Sequence, residues 1–400
     1  MKLPISYGRQ YISDGDIQAV VETLKSDYLT CGPKIPEFEQ AFCEYVHAKY
    51  SVAVCNATAA LHIAAMALGV KEGDNVICTP MTFASSANCI RFCGGNVRFV
   101  DIDPETYLLD INKLKEILST APKGTYKGMV LVDFAGYPHN MEEYRKVADE
   151  YGMWILEDAC HAPGAYFIDS TGERVYCGCG KYSDITVFSF HPVKHITTGE
   201  GGMACTQNKE YYEKMALYRT HGITHEAEKL QREDGLWYYE MQELGYNYRI
   251  TDIQAALGTS QLKRARKNVE IRRELVRKYN EAFVSISEIK TPYEAADVYH
   301  AYHLYVIQVE DRLGLYNFLR ENGIFAQVLY YPLNLMPYYN PRQYMQQNNR
   351  YNGKPLNCIN NLYTIFGIHH LLTNFLTLLI TYCCCSSVRV GNIGNARQCL

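Results

Sequence analysis

Lys194 stands in the string FSFHPVKHITTGEGG (residues 188–202), after a run apolar enough for a buried strand and ahead of small, flexible residues. A lysine so placed can be kept partly out of water, which lowers its pKa and frees the amine to condense with a carbonyl as a Schiff base. A solvated loop lysine is the commoner meaning of any single lysine, so its neighbours decide. Upstream, MWILEDACHA closes on Glu157 and Asp158. Ligands of open α/β sheets sit beyond the carboxyl ends of the strands. A buried carboxylate there can pair with a protonated pyridine nitrogen, which keeps pyridoxal 5′-phosphate (PLP) an electron sink. His161, three residues on, can hydrogen-bond the phenolic oxygen of such a cofactor, although a single histidine is more often structural.

A phosphate needs its own cradle. CNATAALHIAAMALG puts Asn56, Ala57 and Thr58 at the start of an apolar helix, where open backbone N–H groups and the helix dipole favour an anion. Thr58 and Ala59 are the natural contacts, and Ser189, five residues before Lys194, can add a hydroxyl. Simple helix capping accounts for Asn56 and Thr58 equally well. Asn56-Ala57-Thr58 is also a glycosylation sequon, without meaning for a protein kept inside the cell. Phe83, in TPMTFASSANC, follows another apolar run and suits either a ring stacked on a flat cofactor or an ordinary core position.

These residues need a scaffold that brings strand ends together. From Tyr50 onward SVAVC, NVICTP, VRFVDID, GMVLVDFAG and MWILEDA alternate with amphipathic AALHIAAMALG, SANCIRFCG, NKLKEILS and MEEYRKVADEYG. Strand–helix alternation of this kind predicts an α/β fold with a mostly parallel central sheet. ITVFSF and GGMACT then read as two strands joined by a loop without a helix. Residues 14–26 carry a helical pattern within an N-terminal arm of about 35 residues. Residues 36–260 form the expected large domain, and one long helix over 252–282 leads to a small domain over 261–345 with YHLYVIQV as a strand.

Composition narrows the partners. Charged residues are 20% of the 400 and the formal net charge is −4, which excludes a polyanion-binding surface and nucleic acid as a partner. MKLPISYGRQYISDGD lacks a signal-peptide core, so the expectation is a cytoplasmic protein. Of fifteen cysteines, most lie singly in apolar runs (Cys55, Cys78, Cys89, Cys205) and read as buried thiols rather than a disulfide framework. Cys177 and Cys179 form a CxC without a second pair, short of a zinc ligand set, and are expected on a surface loop.

An early phosphate helix, a strand-end aspartate and a loop lysine, in that order, resemble the fold-type I PLP enzymes. The strings EDACHAPGA, FSFHPVK and TTGEGG are similar to the DegT/DnrJ/EryC1/StrS sugar aminotransferases over roughly residues 4–340. Within that family YGRQYIS, SDYLTCGPKIPEFE, HGIT, WYYE and ELGYNYRITDIQAALG most resemble the branch that serves pseudaminic acid biosynthesis. The resemblance implies a large domain with helices on both faces of the sheet and a smaller C-terminal α/β domain. It implies PLP as cofactor, a UDP-linked 4-keto-6-deoxy-N-acetylhexosamine as acceptor and L-glutamate as donor. Lys194 becomes the Schiff-base lysine and proton shuttle, Asp158 the pyridinium partner, His161 a neighbour of the ring, and Thr58, Ala59 and Ser189 phosphate contacts. Asn247 would reach the phosphate of a second copy's cofactor, implying a homodimer with shared sites and no membrane partner. Sugar dehydratases on this scaffold carry histidine at the lysine position; His195 is adjacent, but the spacing from Ser189 selects Lys194.

Two departures from the family stand out. Leu329 and Asn334 occupy positions where histidines are common, leaving open a different nucleotide-linked keto sugar. From about residue 346 the chain reads NNLYTIFGIHHLLTNFLTLLITYCCCSSVRV instead of a tyrosine-proline turn and an acidic helix. Leu371–Cys385 is apolar, yet Thr373, Asn374, Thr377 and Thr381 interrupt it as a membrane span. Read from the third base, codons for Ile365–Phe375 permit a string resembling the missing YPSLTDE turn, which points to a frameshift between about residues 340 and 364. A shifted frame would cost the small domain its last strand and helix, and leaves open an inactive PLP-binding protein.

Overall fold

The computed structural model describes residues 5–232 and 234–339 and the backbone of 364–367. After α1 (Asp14–Leu24) and α2 (Lys34–Val46), strands and helices alternate as expected: β1 (Tyr50–Val54), α3 (Ala57–Ala67), β2 (Asn75–Cys78), α4 (Ala84–Phe92), β3 (Asn96–Phe99), α5 (Ile111–Thr120), β4 (Tyr126–Val132), α6 (Met141–Tyr151) and β5 (Trp154–Asp158). A ribbon of β6 (Tyr166–Ile168) and β7 (Arg174–Tyr176) precedes β8 (Ile185–Ser189) and β9 (Gly202–Thr206). Then follow α7 (Lys209–Arg219), β10 (Ile223–Thr224), β11 (Glu240–Met241), α8 (Asp252–Leu262), α9 (Ala265–Phe283), β12 (Val298–Tyr299), β13 (Leu304–Ile307), α10 (Arg312–Glu321) and β14 (Thr364–Gly367).

Seven strands make the central sheet in the order β1-β9-β8-β5-β4-β2-β3. Pairs β2–β3, β2–β4, β4–β5 and β5–β8 are parallel, while β9 runs antiparallel to both β8 and β1. The strands are apolar on both faces because both are covered. Val76, Cys78, Val130, Leu156, Val187 and Ala204 pack with α3, α4 and α7. The alternate residues Ile77, Met129, Leu131 and Ile155 pack with α5 and α6, and Phe188, Met203 and Cys205 with α2 and α8. Asp158 therefore shares the face of α3 and α4, and Glu157 turns to the other.

Three expectations need correction. The single helix over 252–282 is two helices. Arg264 leaves helical geometry (φ −114°, ψ 4°), and its guanidinium holds the Tyr11 carbonyl, Ser13 and buried Asp16, fastening α1 to the junction. The predicted YHLYVIQV strand shortens to β13. Cys177 is not on a surface loop: it is 5% exposed, behind β5 beside Asp133 and Glu157, and Cys179 is half-buried. The described cysteines are free thiols.

A second core forms where Val276, Tyr279 and Phe283 of α9 meet Tyr305, Ile307, Leu315 and Leu319, and Ile5 of the arm packs on it. The first turns of α9, through Ala265 and Val269, still pack on the core of the large sheet, so the passage from one core to the other falls within α9. Within the stretch expected to be aberrant, β14 pairs antiparallel with β13, Leu304 opposite Gly367. The apolar run Leu371–Cys385 lies outside the described residues, among which no helix is long and apolar enough to cross a membrane.

Candidate active site

The carboxyl ends of β5 and β8 and the N-terminal ends of α3 and α4 converge on one face. Asp158 closes β5 at 5% exposure; its Oδ2 accepts from Ser86 Oγ (2.6 Å) and its Oδ1 from the Cys160 N–H (3.2 Å). Glu157, one residue earlier, accepts from Ser183 (2.9 Å) and Thr186 (2.6 Å) on the opposite face. Burial, and then the neighbouring Asp133, push the Glu157 carboxyl well above the usual carboxylate range. Strand parity thus separates the two acids and leaves Asp158 on the α3/α4 face.

Lys194 lies in the β8–β9 connection, which is stapled by its own residues. Phe190 N–H donates to Gly201 O (2.9 Å), Thr198 N–H to Phe190 O (3.0 Å), and Lys194 N–H to His191 O (2.8 Å). The Thr197 hydroxyl bonds Phe190 O and the Thr198 hydroxyl Glu200 O, so TTGEGG serves to fold the loop. The Lys194 side chain is half-buried. Burial lowers its pKa, partly opposed by Cys160 and Asp158. The adjacent His195 is tied by Nε2 to Ala301 O at 2.9 Å.

His161 is 4% exposed and accepts from the Ala135 N–H at Nδ1 (3.2 Å), which places its proton on Nε2, 3.3 Å from Tyr330 Oη. Burial holds its pKa well below the ordinary value, with Lys194 and His195 adding to the effect, so the ring is neutral. Its ring lies nearly parallel to that of Tyr330 and 4.3 Å from that of His303.

At the start of α3 Asn56 Oδ1 accepts from the Ala59 N–H (2.9 Å), so the capping role is real and Ala59's amide is occupied. Helix geometry leaves the N–H groups of Ala57 and Thr58 without intrahelical partners. The Thr58 hydroxyl meets that of Ser85 at 2.7 Å. Ser189 ends β8 at 7% exposure. Gly202 passes so close that a Cβ there would lie 2.6 Å from the Asn56 carbonyl, which fixes α3 against β9. Phe83 is 60% exposed at the N-cap of α4, its ring 6.1 Å from that of Tyr330, so it is not a core residue. Asn247 is exposed, on a segment bridged to Thr220 and tied to Cys55 through Tyr248. Ser85, Ser86, Tyr330 and His303 were not foreseen. The serines stand two and three residues after Phe83, where the strand-end rule could have found them; Tyr330 and His303 arrive by long-range packing that no local pattern announces.

Residues 10–354 match the DegT/DnrJ/EryC1/StrS aminotransferase family. The chain belongs to that family. The chain is 38% identical over 344 residues to a Campylobacter jejuni UDP-4-amino-4,6-dideoxy-N-acetyl-β-L-altrosamine transaminase, covering 84% of this chain and 86% of the relative. Helicobacter pylori PseC, an aminotransferase involved in pseudaminic acid biosynthesis, superimposes with a TM-score of 0.82 at 26% identity, over 97% of this chain and 100% of its own. A Streptococcus pneumoniae sugar aminotransferase in its PLP form does so at 0.81 and 26% identity, over 97% and 100%.

Family members are PLP-dependent aminotransferases, and so is this one. The site fits the cofactor on its own terms: a half-buried amine of lowered pKa, a buried carboxylate at a strand end, and a helix start with open amides beside the hydroxyls of Thr58 and Ser85.

Proposed function

We propose that this aminotransferase moves an amino group from L-glutamate to C4 of a UDP-linked 4-keto-6-deoxy-N-acetylhexosamine, giving UDP-4-amino-4,6-dideoxy-N-acetyl-β-L-altrosamine for pseudaminic acid. The reading is carried by the half-buried Lys194 amine, electrostatically coupled to Asp158, in a chain 38% identical to a transaminase of that name. PLP, when bound, supplies an aldehyde and an electron-poor ring that takes up the electrons freed when a proton leaves the amino-bearing carbon. Lys194 would hold the cofactor through its aldehyde, and its amine, once set free, would move the proton between the amino-bearing carbon of each substrate and that aldehyde carbon. Asp158 keeps a proton on the pyridine nitrogen. Neutral His161, with its proton on Nε2, donates toward the phenolic oxygen, and Phe83 covers one face of the ring. Thr58, the α3 amides around Ala59, and Ser189 hold the phosphate. Exposed Asn247 serves the phosphate of a second copy, which makes the working unit a homodimer, in the cytoplasm where nucleotide sugars are made.

Borohydride reduction of the PLP-loaded protein followed by peptide mass spectrometry is expected to find the pyridoxyl group on Lys194; a different lysine would end the assignment. A panel of nucleotide keto sugars offered with PLP and glutamate tests the acceptor. Leu329 and Asn334, standing where relatives commonly carry histidine, favour a second reading in which another nucleotide-linked keto sugar is aminated. The same panel separates the two by which sugar gains nitrogen.

A further inference from the structure

Asp158 is held by more than its strand. Thr82, Ser86 and Asp158 are 2%, 0% and 5% exposed and form a line of contacts: Thr82 Oγ1 to Ser86 Oγ at 2.7 Å, then Ser86 Oγ to Asp158 Oδ2 at 2.6 Å. Because the carboxylate can only accept, the Ser86 proton goes to Oδ2, and Thr82 in turn donates to Ser86. A hydroxyl-to-carboxylate bond of this length is charge-assisted and about twice as strong as a neutral one. Oδ1 has the single main-chain donor of Cys160 and keeps acceptor capacity for another proton.

Ser86 stands three residues after Phe83, in the first turn of α4, and its own N–H bonds Phe83 O at 3.3 Å. One helix start therefore carries both the exposed ring and the clamp on the acid. The dipole of α4 presents its positive end to the carboxylate.

We propose that Ser86 is a positioning residue for the reaction: by engaging Oδ2, with Thr82 behind it, it fixes the Asp158 carboxylate so that Oδ1 is presented to the pyridine nitrogen. The inference rests on reading Asp158 as the partner of that nitrogen. Losing one charge-assisted bond is expected to lower kcat about ten- to hundredfold in Ser86→Ala, with the KM for the sugar nearly unchanged. Ser86→Thr, which keeps the hydroxyl, is expected to restore most of it, and Thr82→Val to give a smaller loss.

The deciding measurement is the nitrogen NMR shift of bound PLP labelled at the ring nitrogen, in wild type, Ser86→Ala, Thr82→Val and Asp158→Asn. The proposal expects the signal to move toward the unprotonated position strongly in Asp158→Asn, partly in Ser86→Ala and least in Thr82→Val. A shift in Asp158→Asn with no change in Ser86→Ala and kcat within about twofold overturns the role of Ser86 alone. No shift in Asp158→Asn overturns the reading of Asp158 and the proposal with it. Should Ser86→Ala not fold, the Thr82→Val signal decides: a partial shift supports the line of donors, and an unmoved one overturns it.

Discussion

At the scale of single residues, position along a strand decides what each titratable group can do. Glu157 and Asp158 are neighbours in sequence, yet alternation across β5 sends one to a dry hydroxyl pocket and the other to the face of α3 and α4. Lys194 and His195 are likewise adjacent, and the His195 ring is engaged by Ala301 O. Lys194's lowered pKa has a measurable consequence. Since burial favours the neutral amine, apo protein should combine with PLP with a pH midpoint below the ordinary lysine value of about 10.4, followed as growth of the visible absorbance band. A midpoint at or above that value would mean that the amine is solvated. Lys194 and Asp158 could be singled out as candidates because chemistry at strand ends is written in a few residues. The partner of His161 was not, since Tyr330 lies 169 positions away.

Elements set the precision of the site. The alternation of apolar runs and amphipathic stretches was readable from β1 to β5 because the strands, apart from edge strand β3, are buried on both faces, while α5 and α6 bury one face each. The helix break between α8 and α9 was not, because ARKNVEIRRELV continues the amphipathic pattern through it. The break comes from Arg264 reaching back to Tyr11, Ser13 and Asp16, more than 240 residues earlier in the chain. The CxC was misread for a related reason: β6 and β7 fold Cys177 inward against Asp133 and Glu157, a tertiary event with no local signal. Capping of α3 by Asn56 serves both stability and the anion cradle. Asn56→Ala is expected to destabilise the protein by about 1 kcal/mol and to weaken PLP binding as the first turn frays. Thermal unfolding with and without PLP measures both; an unchanged gap between the two midpoints would separate the cap from the cofactor.

For the whole molecule, buried ionisable groups make stability depend on pH with two opposite signs. His161, His195, His300 and His303 are held neutral by burial, their pKa values depressed. An unfolded chain binds their protons first, so stability is lost as pH falls below about 6.5. Asp133 and Glu157 behave oppositely: burial raises both above the unfolded carboxylate value, with the charge of Asp158 adding to the effect at Asp133 and that of Asp133 at Glu157. Their contribution is intact below about pH 4 and declines as pH rises through the raised values, because the unfolded chain ionises while the folded one keeps its protons. Above about pH 6.5 the histidines are neutral in both states, so the remaining decline in unfolding midpoint up to pH ~8.5 belongs to the acids. It should be shallower in Asp133→Asn; an unchanged slope would refute the pairing. The proposed sharing of sites between two copies makes a second whole-molecule prediction. Lys194→Ala and Asn247→Ala chains, each inactive alone, should recover about a quarter of wild-type activity when co-expressed, since half the symmetric pairs are mixed and carry one intact site. Inactivity of the mixture would separate Asn247 from the neighbouring subunit's cofactor.

The lysine-bearing loop joins two neighbouring strands in the interior of a seven-stranded sheet, with β5 on one side and β1 on the other. Backbone amides there can meet solvent deuterium only when the sheet itself comes apart. Exchange at β8 and β9 should therefore be among the slowest in the chain, which would hang the Lys194 amine from a part of the protein that seldom opens.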